Sequence, residues 1–383
     1  MSRSTAGILV ASVLYCFTAL HPAAAHTVNL PASLVSPADT VTAVATGISF
    51  GEGPATDPAG NLYFSDRNPS RIWKVSPGAA AEVFRNPAND ANGMVFDSEE
   101  RLVVCEKRGI SRTEKDSSVT MLIIADTLGD EGLNDLTLTS GGGVFFTSSV
   151  WNGNGKVFYL SPDGRLTTVL SFSNPPLNYP NGIEYVEEKR LLYLNITRKD
   201  SVVKYRVNDD MHLTALGPLC SAPSPDGLAL DEKGNLWVAN TNGNHQVTVF
   251  DSSGTKLGEI ITDGQESVQN CAFGGPDRKT LYITGKTAVF SLKTAVAGRN
   301  TSGVSSVACP KPVYGISTGS PGTSFRGGVP YLNSPGLPSN MFDLRGVRIT
   351  SSVVRSGYGA GRSSGIVVVQ SAGGEAVRFS VIR

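Results

Sequence analysis

The 383-residue sequence has no excess of either charge, because 33 lysines and arginines balance 33 aspartates and glutamates. It has no long basic run of the kind that nucleic-acid-binding proteins direct at phosphates, so we expect no nucleic-acid partner. After residue 25, no stretch approaches the roughly 20 apolar residues of a membrane-spanning helix. A sustained amphipathic helical pattern is also missing, whereas 42 glycines and 22 prolines are present. Short strands joined by turns, and hence an all-β fold, are expected.

Cysteine and histidine are scarce, with five and four in the whole chain. None of the cysteines has zinc-finger spacing, so no such metal site is expected. The sequence has no G-x-S-x-G motif, which argues against a serine–histidine triad. Four cysteines follow residue 25, and their spacing does not select a disulfide pairing among Cys105, Cys220, Cys271 and Cys309.

The N-terminus has the pattern of an export signal. Arg3 precedes the apolar stretch GILVASVLYCFTAL, and residues 23–25 are alanines that suit a cleavage site. Cleavage there would leave His26 as the first residue. We therefore predict that residues 1–25 are a signal peptide and that the mature protein is secreted or periplasmic.

A phrase of one pattern recurs six times along the chain. It opens with a carboxylate or amide residue and ends in an apolar run, as in EGPATDPAGNLYFSD and DGLALDEKGNLWVAN. The apolar runs begin 40 to 48 residues apart, at Leu62, Leu102, Val144, Leu192, Leu236 and Leu281. Repeats of this length with only short strands are typical of β-propeller blades, which have about four strands each. We predict a six-bladed β-propeller over residues 26–296, with residues 41–46 completing the last blade.

The residue that opens each phrase is expected to line the central channel, because equivalent positions of the blades form a ring around its axis. The six residues are Glu52, Asn92, Asn134, Asn181, Asp226 and Asn270. Carboxylate and amide oxygens are hard ligands that suit calcium, magnesium or manganese better than zinc or copper. A divalent cation would also compensate the burial of two carboxylates. We predict that Glu52, Asn181 and Asp226 meet at such a cation.

Another interpretation is that Asn-Gly and Asp-Gly pairs only mark turns that lead into each strand. This interpretation fits Asn92 and Asn270 as well as the channel prediction does. It fits Glu52 less well, because glutamate is not a turn residue. In addition, Asn195 in NIT and Asn300 in NTS match the glycosylation pattern, although Asn195 falls at the end of a predicted inner strand.

The repeated motifs resemble those of the senescence-marker-protein, gluconolactonase and luciferin-regenerating family. The resemblance covers roughly residues 45 to 295, and its specific parts are EGP, PNGI, PDGLALDEKGNLWVAN and NCAFGGPDRKTLYIT. It implies a six-bladed propeller with a single divalent cation in the channel. By that resemblance the ligands are Glu52, Asn181 and Asp226, which the repeat pattern already places together.

The same resemblance implies substrate-binding residues. Asn134 matches an asparagine that holds substrate and a water molecule, and Asn92 matches a further residue of the channel lining. Tyr179, two residues before Asn181, is a candidate for covering the substrate, with simple packing as the alternative. Animal members carry a sugar-binding arginine where this chain has Gly132, so specificity for sugar-acid lactones is in doubt.

The C-terminal part has no counterpart in the family's propeller. Residues 297–339 are rich in glycine, serine and proline and are expected to form a linker. Residues 340–383 alternate in a β pattern and vaguely resemble small modules that sort exported proteins to the bacterial cell surface. A flexible tail with two adhesive strands is the alternative.

The predicted site suits hydrolysis of a cyclic ester. A cation with an open coordination side polarises a lactone carbonyl, and Asp226 can take the proton of the attacking water. We therefore expect an exported lactonase that uses calcium, with magnesium, manganese or zinc as alternatives, on a gluconolactone-like or related cyclic ester. There are two competing hypotheses. One is an aryl-esterase or phosphotriesterase-like activity at the same cation, and the other is a non-catalytic binding propeller with a structural cation.

Overall fold

The computed structural model describes residues 26–124, 132–150, 155–171, 179–242, 246–262 and 267–300, and the backbone of three strands near the C-terminus. The predicted signal peptide and most of the predicted linker and tail lie outside the described residues. The chain divides into two compact units, Met1–Ser317 and Thr318–Arg383. In the second unit, one antiparallel sheet is formed by Val354–Ser356, Ile366–Gln370 and Ala376–Ser380.

The first unit is built from six antiparallel sheets, each of which contains one copy of the repeated phrase. Two strands precede the first copy, β1 (Thr27–Asn29) and β2 (Thr42–Thr46). Blade 1 contains β3 (Gly51–Thr56), β4 (Leu62–Asp66), β5 (Arg71–Val75) and β6 (Glu82–Arg85). Blade 2 contains β7 (Met94–Phe96), β8 (Leu102–Glu106), β9 (Gly109–Thr113) and β10 (Val119–Ile124). Blade 3 contains β11 (Leu133–Leu138), β12 (Val144–Ser148), β13 (Lys156–Leu160) and β14 (Leu166–Ser171).

The remaining three blades continue in the same order. Blade 4 contains β15 (Pro180–Val186), β16 (Leu191–Ile196), β17 (Ser201–Val207) and β18 (Leu213–Ser221), with short 3-10 turns at Glu187–Lys189 and Thr197–Lys199. Blade 5 contains β19 (Pro225–Leu230), β20 (Leu236–Asn240), β21 (Gln246–Phe250) and β22 (Lys256–Ile261). Blade 6 contains β23 (Val268–Gly274), β24 (Thr280–Gly285) and β25 (Ala288–Lys293). The predicted six-bladed β-propeller is confirmed. No helix in the described part of the chain is long and apolar enough to cross a membrane.

The N-terminal strands complete the last two blades. Strand β2 pairs antiparallel with β25, so it supplies the fourth strand of blade 6, as the sequence predicts. Strand β1 pairs with β22 and adds a fifth strand to blade 5. The first strands of the blades contact one another in sequence, and β23 of blade 6 contacts β3 of blade 1. The ring is therefore closed, with these six strands around its axis.

The repeated turn between the first two strands of a blade has a physical cause. In blade 5, the Oδ1 atom of Asp231 accepts the backbone N–H of Asn235 at 2.9 Å, and its Oδ2 atom accepts Nε1 of the buried Trp237 at 3.1 Å. Blade 1 repeats the arrangement, with Oδ1 of Asp57 accepting the N–H of Asn61 at 2.9 Å. The aspartate satisfies backbone donors that the turn would leave unpaired. This requirement accounts for the Asp and Asn of the repeated phrase.

Residues just after the last strand of blade 6 contact two other blades. The backbone N–H of Arg299 donates to the carbonyl of Leu230 at 2.8 Å, and its guanidinium donates to the half-buried Glu184 at 3.1 Å. Gly298 forms a β-bridge with Asp231. Arg299 and Gly298 therefore supply backbone and charge partners to blades 4 and 5.

Candidate metal centre

The six predicted channel residues lie at or just before the first strand of their blades. Each is buried, with between 2 % and 8 % of its surface exposed. Because these strands contact one another around the axis, the six positions lie on one ring. They are Glu52, Asn92, Asn134, Asn181, Asp226 and Asn270.

Glycines allow the blades to approach one another closely beside these residues. A Cβ atom added to Gly182 would lie 2.3 Å from the backbone oxygen of Asp226, and one added to Gly227 would lie 1.9 Å from Oδ1 of Asn270. Neither distance is possible for a real side chain, so only glycine fits. Gly53 and Gly93 are equally crowded against the next blade. The glycine that follows a ring residue is thus required by packing between blades, and the turn interpretation alone does not account for it.

We expect Gly182→Ala to lower the stability of the propeller by about 2 kcal/mol or more, because blades 4 and 5 must separate to admit the methyl group. Calorimetry of the unfolding transition checks this value. Gly141→Ala is the matched control, since the nearest atom to its added Cβ would be 3.9 Å away. Equal melting temperatures for the two variants would show that the close approach of the blades is not required.

Two carboxylates of the predicted ligand set are deeply buried and act on each other. Burial raises the pKa of Glu52 to about 7, and the guanidinium of Arg67 opposes part of this rise. Burial, and then the negative charges of Glu52 and Asp135, raise the pKa of Asp226 well above its usual range. Arg67, whose positive charge opposes both shifts, is exposed. The site therefore has an excess of buried negative charge, which a divalent cation would compensate.

Asp135 belongs to the same site, although the sequence analysis did not select it. It is buried, burial raises its pKa to about 7, and Nδ2 of Asn270 lies 3.4 Å from its Oδ2 atom. Asp135 occupies the position that is glycine in four other blades, next to the ring residue Asn134. The sequence therefore does distinguish Asp135, because it has an acid where most blades have glycine. A side chain at this position must lie against the neighbouring blade.

The amide of Asn181 has an oxygen that no protein group uses. Its Nδ2 atom donates to Oγ1 of Thr197 at 3.1 Å, and its side chain also hydrogen-bonds to Asp226. Its Oδ1 atom is buried and has no hydrogen-bond partner. A buried oxygen without a partner is costly unless a ligand satisfies it. An amide oxygen of this kind is a suitable ligand for calcium or a similar hard cation.

Glu52, Asn181 and Asp226 suit a divalent cation, although the site is not a cluster of three acidic side chains. Across the described residues, no three Asp, Glu, His or Cys side chains are grouped so that they could hold a metal ion. The predicted set differs because one of its three members is an amide. Glu52 and Asp226 would supply the negative charge, and Asn181 would supply its unpartnered oxygen.

The predicted substrate residues take different positions. Asn92 is 2 % exposed, its Oδ1 atom is buried without a hydrogen-bond partner, and its backbone oxygen accepts Oγ of Ser65 at 3.0 Å. Asn134 is buried in β11 beside Asp135. Tyr179 is half-buried just before β15, and its backbone oxygen accepts the N–H of Thr197 at 3.0 Å. Their roles toward a substrate stay predictions.

Other candidate groups lie elsewhere or have other roles. Cys105, Cys220 and Cys271 carry free thiols, and Cys309 lies outside the described residues. A cavity of about 240 Å³ between blades 1 and 2 is lined by Tyr63 and neighbouring residues but by no ring residue. It lies at the far end of β3 from Glu52, so it is not the predicted site.

Several known proteins are similar to this chain in sequence or in fold. The pentonolactonase XacC of Haloferax volcanii is 28% identical over 254 residues, which cover 64% of this chain and 84% of that protein. The structure of a gluconolactonase from Xanthomonas campestris matches with a TM-score of 0.62 at 25% identity, covering 71% of this chain and 96% of that one. A calcium-binding regucalcin of Agrobacterium tumefaciens shares the fold, with a TM-score of 0.58 at 17% identity, covering 71% and 95%.

A family model also matches the chain. The model described as SMP-30/Gluconolactonase/LRE-like region matches residues 50–287, which include all six ring positions. The matched residues make up more than half of the chain. The ring residues, the blade repeat and the sequence match agree, and the protein belongs to the SMP-30/gluconolactonase/LRE-like family.

Proposed function

We propose that this protein is an exported lactonase that depends on a divalent cation, most simply calcium, and hydrolyses a sugar-acid lactone or a related cyclic ester. Membership of the family supports lactone hydrolysis in general. The observation that carries the metal dependence is the buried, unpartnered Oδ1 atom of Asn181 beside the carboxylates Glu52 and Asp226. The calcium-binding fold relative supports calcium as the first ion to test.

The cation would be held by Glu52, Asn181 and Asp226, and it would supply Lewis-acid polarisation of the lactone carbonyl and stabilise the negative charge that develops on attack. Glu52 contributes charge. Burial raises its pKa to about 7 and so opposes its ionised form, which an adjacent positive ion would favour.

Asp226 is the group that we assign to proton transfer. One of its oxygens takes the proton of the attacking water, whose oxygen then bonds to the lactone carbonyl carbon. The bond from that carbon to the ring oxygen breaks, the ring oxygen receives a proton, and an open-chain hydroxy acid results. Asn134 and Asn92 orient water or substrate hydroxyls, because an amide both donates and accepts hydrogen bonds.

Hydrolysis of a panel of aldonolactones and aryl esters tests the proposal. The mature protein is stripped with a chelator and assayed after calcium, magnesium, manganese or zinc is restored. Turnover that disappears with the chelator and returns with one ion supports a metal-dependent lactonase. Binding of an ion without turnover of any lactone or ester would favour a non-catalytic propeller with a structural cation. Faster hydrolysis of aryl esters than of lactones would indicate an aryl esterase that uses the same cation.

Export is the second part of the proposal, and it rests on the charged, apolar and small-residue pattern of residues 1–25. We expect the protein purified from a bacterial host with an export pathway to begin at His26, because the small residues before it suit signal peptidase. Intact-mass measurement of the cell-associated and the released protein checks this expectation. A chain that keeps Met1 and stays in the cytoplasm would contradict it.

A further inference from the structure

The NIT triplet at residues 195–197 matches a glycosylation pattern, but its side chains are used inside the protein. Asn195 is fully buried at the end of β16. Its Nδ2 atom donates to the backbone oxygen of Asp226 at 2.6 Å and lies 3.3 Å from that of Gly227. A buried nitrogen with these partners cannot receive a glycan. Asn195 instead holds the backbone of the blade that carries Asp226.

Thr197, two residues later, contacts the amide of the predicted ligand Asn181. Its Oγ1 atom donates to the backbone oxygen of Pro225 at 2.7 Å, which uses the only hydrogen of the hydroxyl. Toward Asn181, at 3.1 Å, the same oxygen can then only accept. The group of Asn181 that faces Thr197 must therefore be the NH₂ group and not the carbonyl oxygen.

This constraint fixes the orientation of the whole amide. The NH₂ group of Asn181 has two hydrogens, of which one is directed to Thr197 and the other is available to Asp226. The Oδ1 atom is then left without a protein partner. If the amide rotated by a half turn, NH₂ would replace the oxygen, and an N–H group cannot ligate a cation.

We propose that Thr197 is a positioning residue, which sets the amide of Asn181 so that its oxygen stays available to the cation. Asn195 supports the same arrangement by holding the Asp226 backbone. The inference rests on the proposed metal site and goes beyond it, since it assigns a role to a side chain that does not itself ligate. Groups that orient a metal ligand typically contribute tenfold to a hundredfold to affinity.

The test is calcium titration of the chelator-stripped full chain by calorimetry, without an activity assay. Thr197→Val removes the hydroxyl but keeps the shape, and we expect it to weaken calcium affinity by about tenfold to a hundredfold. Thr197→Ser keeps the hydroxyl and should stay within about threefold of the unchanged protein. Thr294→Val is the matched control, because it removes a buried hydroxyl that donates to the Val296 carbonyl at 2.8 Å, away from the ring.

A double-mutant cycle separates orientation from a general structural effect. A carboxylate has two equivalent oxygens, so in an Asn181→Asp background the loss of Thr197 should change calcium affinity by less than about threefold. If Thr197→Val does not fold, Thr197→Ala is used in the same cycle. An equal loss in both backgrounds, or no loss in either, would overturn the positioning role. Failure of the unchanged protein to bind calcium, magnesium or manganese would instead overturn the metal site itself.

Discussion

Asp226→Ala is expected to lower kcat/KM for lactone hydrolysis by at least about 10³-fold, because one substitution removes both a ligand and the proposed base. Asp226 is 6 % exposed, and no other residue of its blade offers a carboxylate at the ring. Stopped assays on the best lactone of the panel, with calcium in excess, give the measurement.

Two further variants identify the cause of that loss. Asp226→Asn keeps an oxygen ligand but cannot accept a proton, so we expect it to retain calcium binding while losing at least about 10²-fold in kcat. Asp251→Ala removes an exposed turn carboxylate of the same blade, which accepts the N–H of Ser253 at 2.9 Å, and it should leave activity unchanged. Activity of Asp226→Ala within tenfold of the unchanged protein would exclude Asp226 from the reaction.

Calcium should stabilise the protein far more at pH 8 than at pH 5. Without a cation, burial raises the pKa of Glu52 from 4.5 and that of Asp135 from 3.8, both to about 7. The native state then holds protons that the unfolded chain has already lost, so the stability of the metal-free protein falls as pH rises from about 4 to 7. Calcium displaces protons from the site, and its affinity should rise by about tenfold per pH unit for each proton displaced.

Melting temperatures measured with and without calcium across this pH range check the expectation. The gain in melting temperature from calcium should grow as pH rises through this window. Glu52→Gln carries no titrating group at residue 52, so its metal-free form should lose less stability between pH 5 and 7 than the unchanged protein. A calcium effect that is the same at pH 5 and pH 8 would mean that the buried acids do not bind the ion.

The sequence predicts the propeller well because the repeat places one ring residue and one apolar run in every blade. It also predicts the closure of blade 6 by β2, since the segment VTAVAT at residues 41–46 suits a strand. It does not predict β1, because three residues, TVN, carry no period that distinguishes a strand from a loop. It also does not predict the contact of Arg299 with Glu184, because the two residues are 115 positions apart in the chain.

The ring residues could be predicted because the repeat aligns them, whereas their partners could not. Thr197 and Asn195 donate hydrogen bonds from blade 4 to the backbone of blade 5. The local sequence does not indicate which residues of the next blade will contact the end of a strand. Asp135 stands where four other blades have a glycine after the ring residue. That difference points to Asp135 only once packing between blades explains the glycines.

The pairing of β2 with β25 also determines when the propeller can be completed. Thr46 lies opposite Ala288, so the ring is joined between two segments that are far apart in the chain. The first blades can pair locally as they emerge, but blade 6 lacks its outer strand until the chain has been made past Lys293. A contact of such long sequence separation forms slowly, because a long loop must be closed before any pairing energy is gained. Ring closure is therefore a late event in folding, and a ribosome-bound fragment that ends before β25 has an open ring.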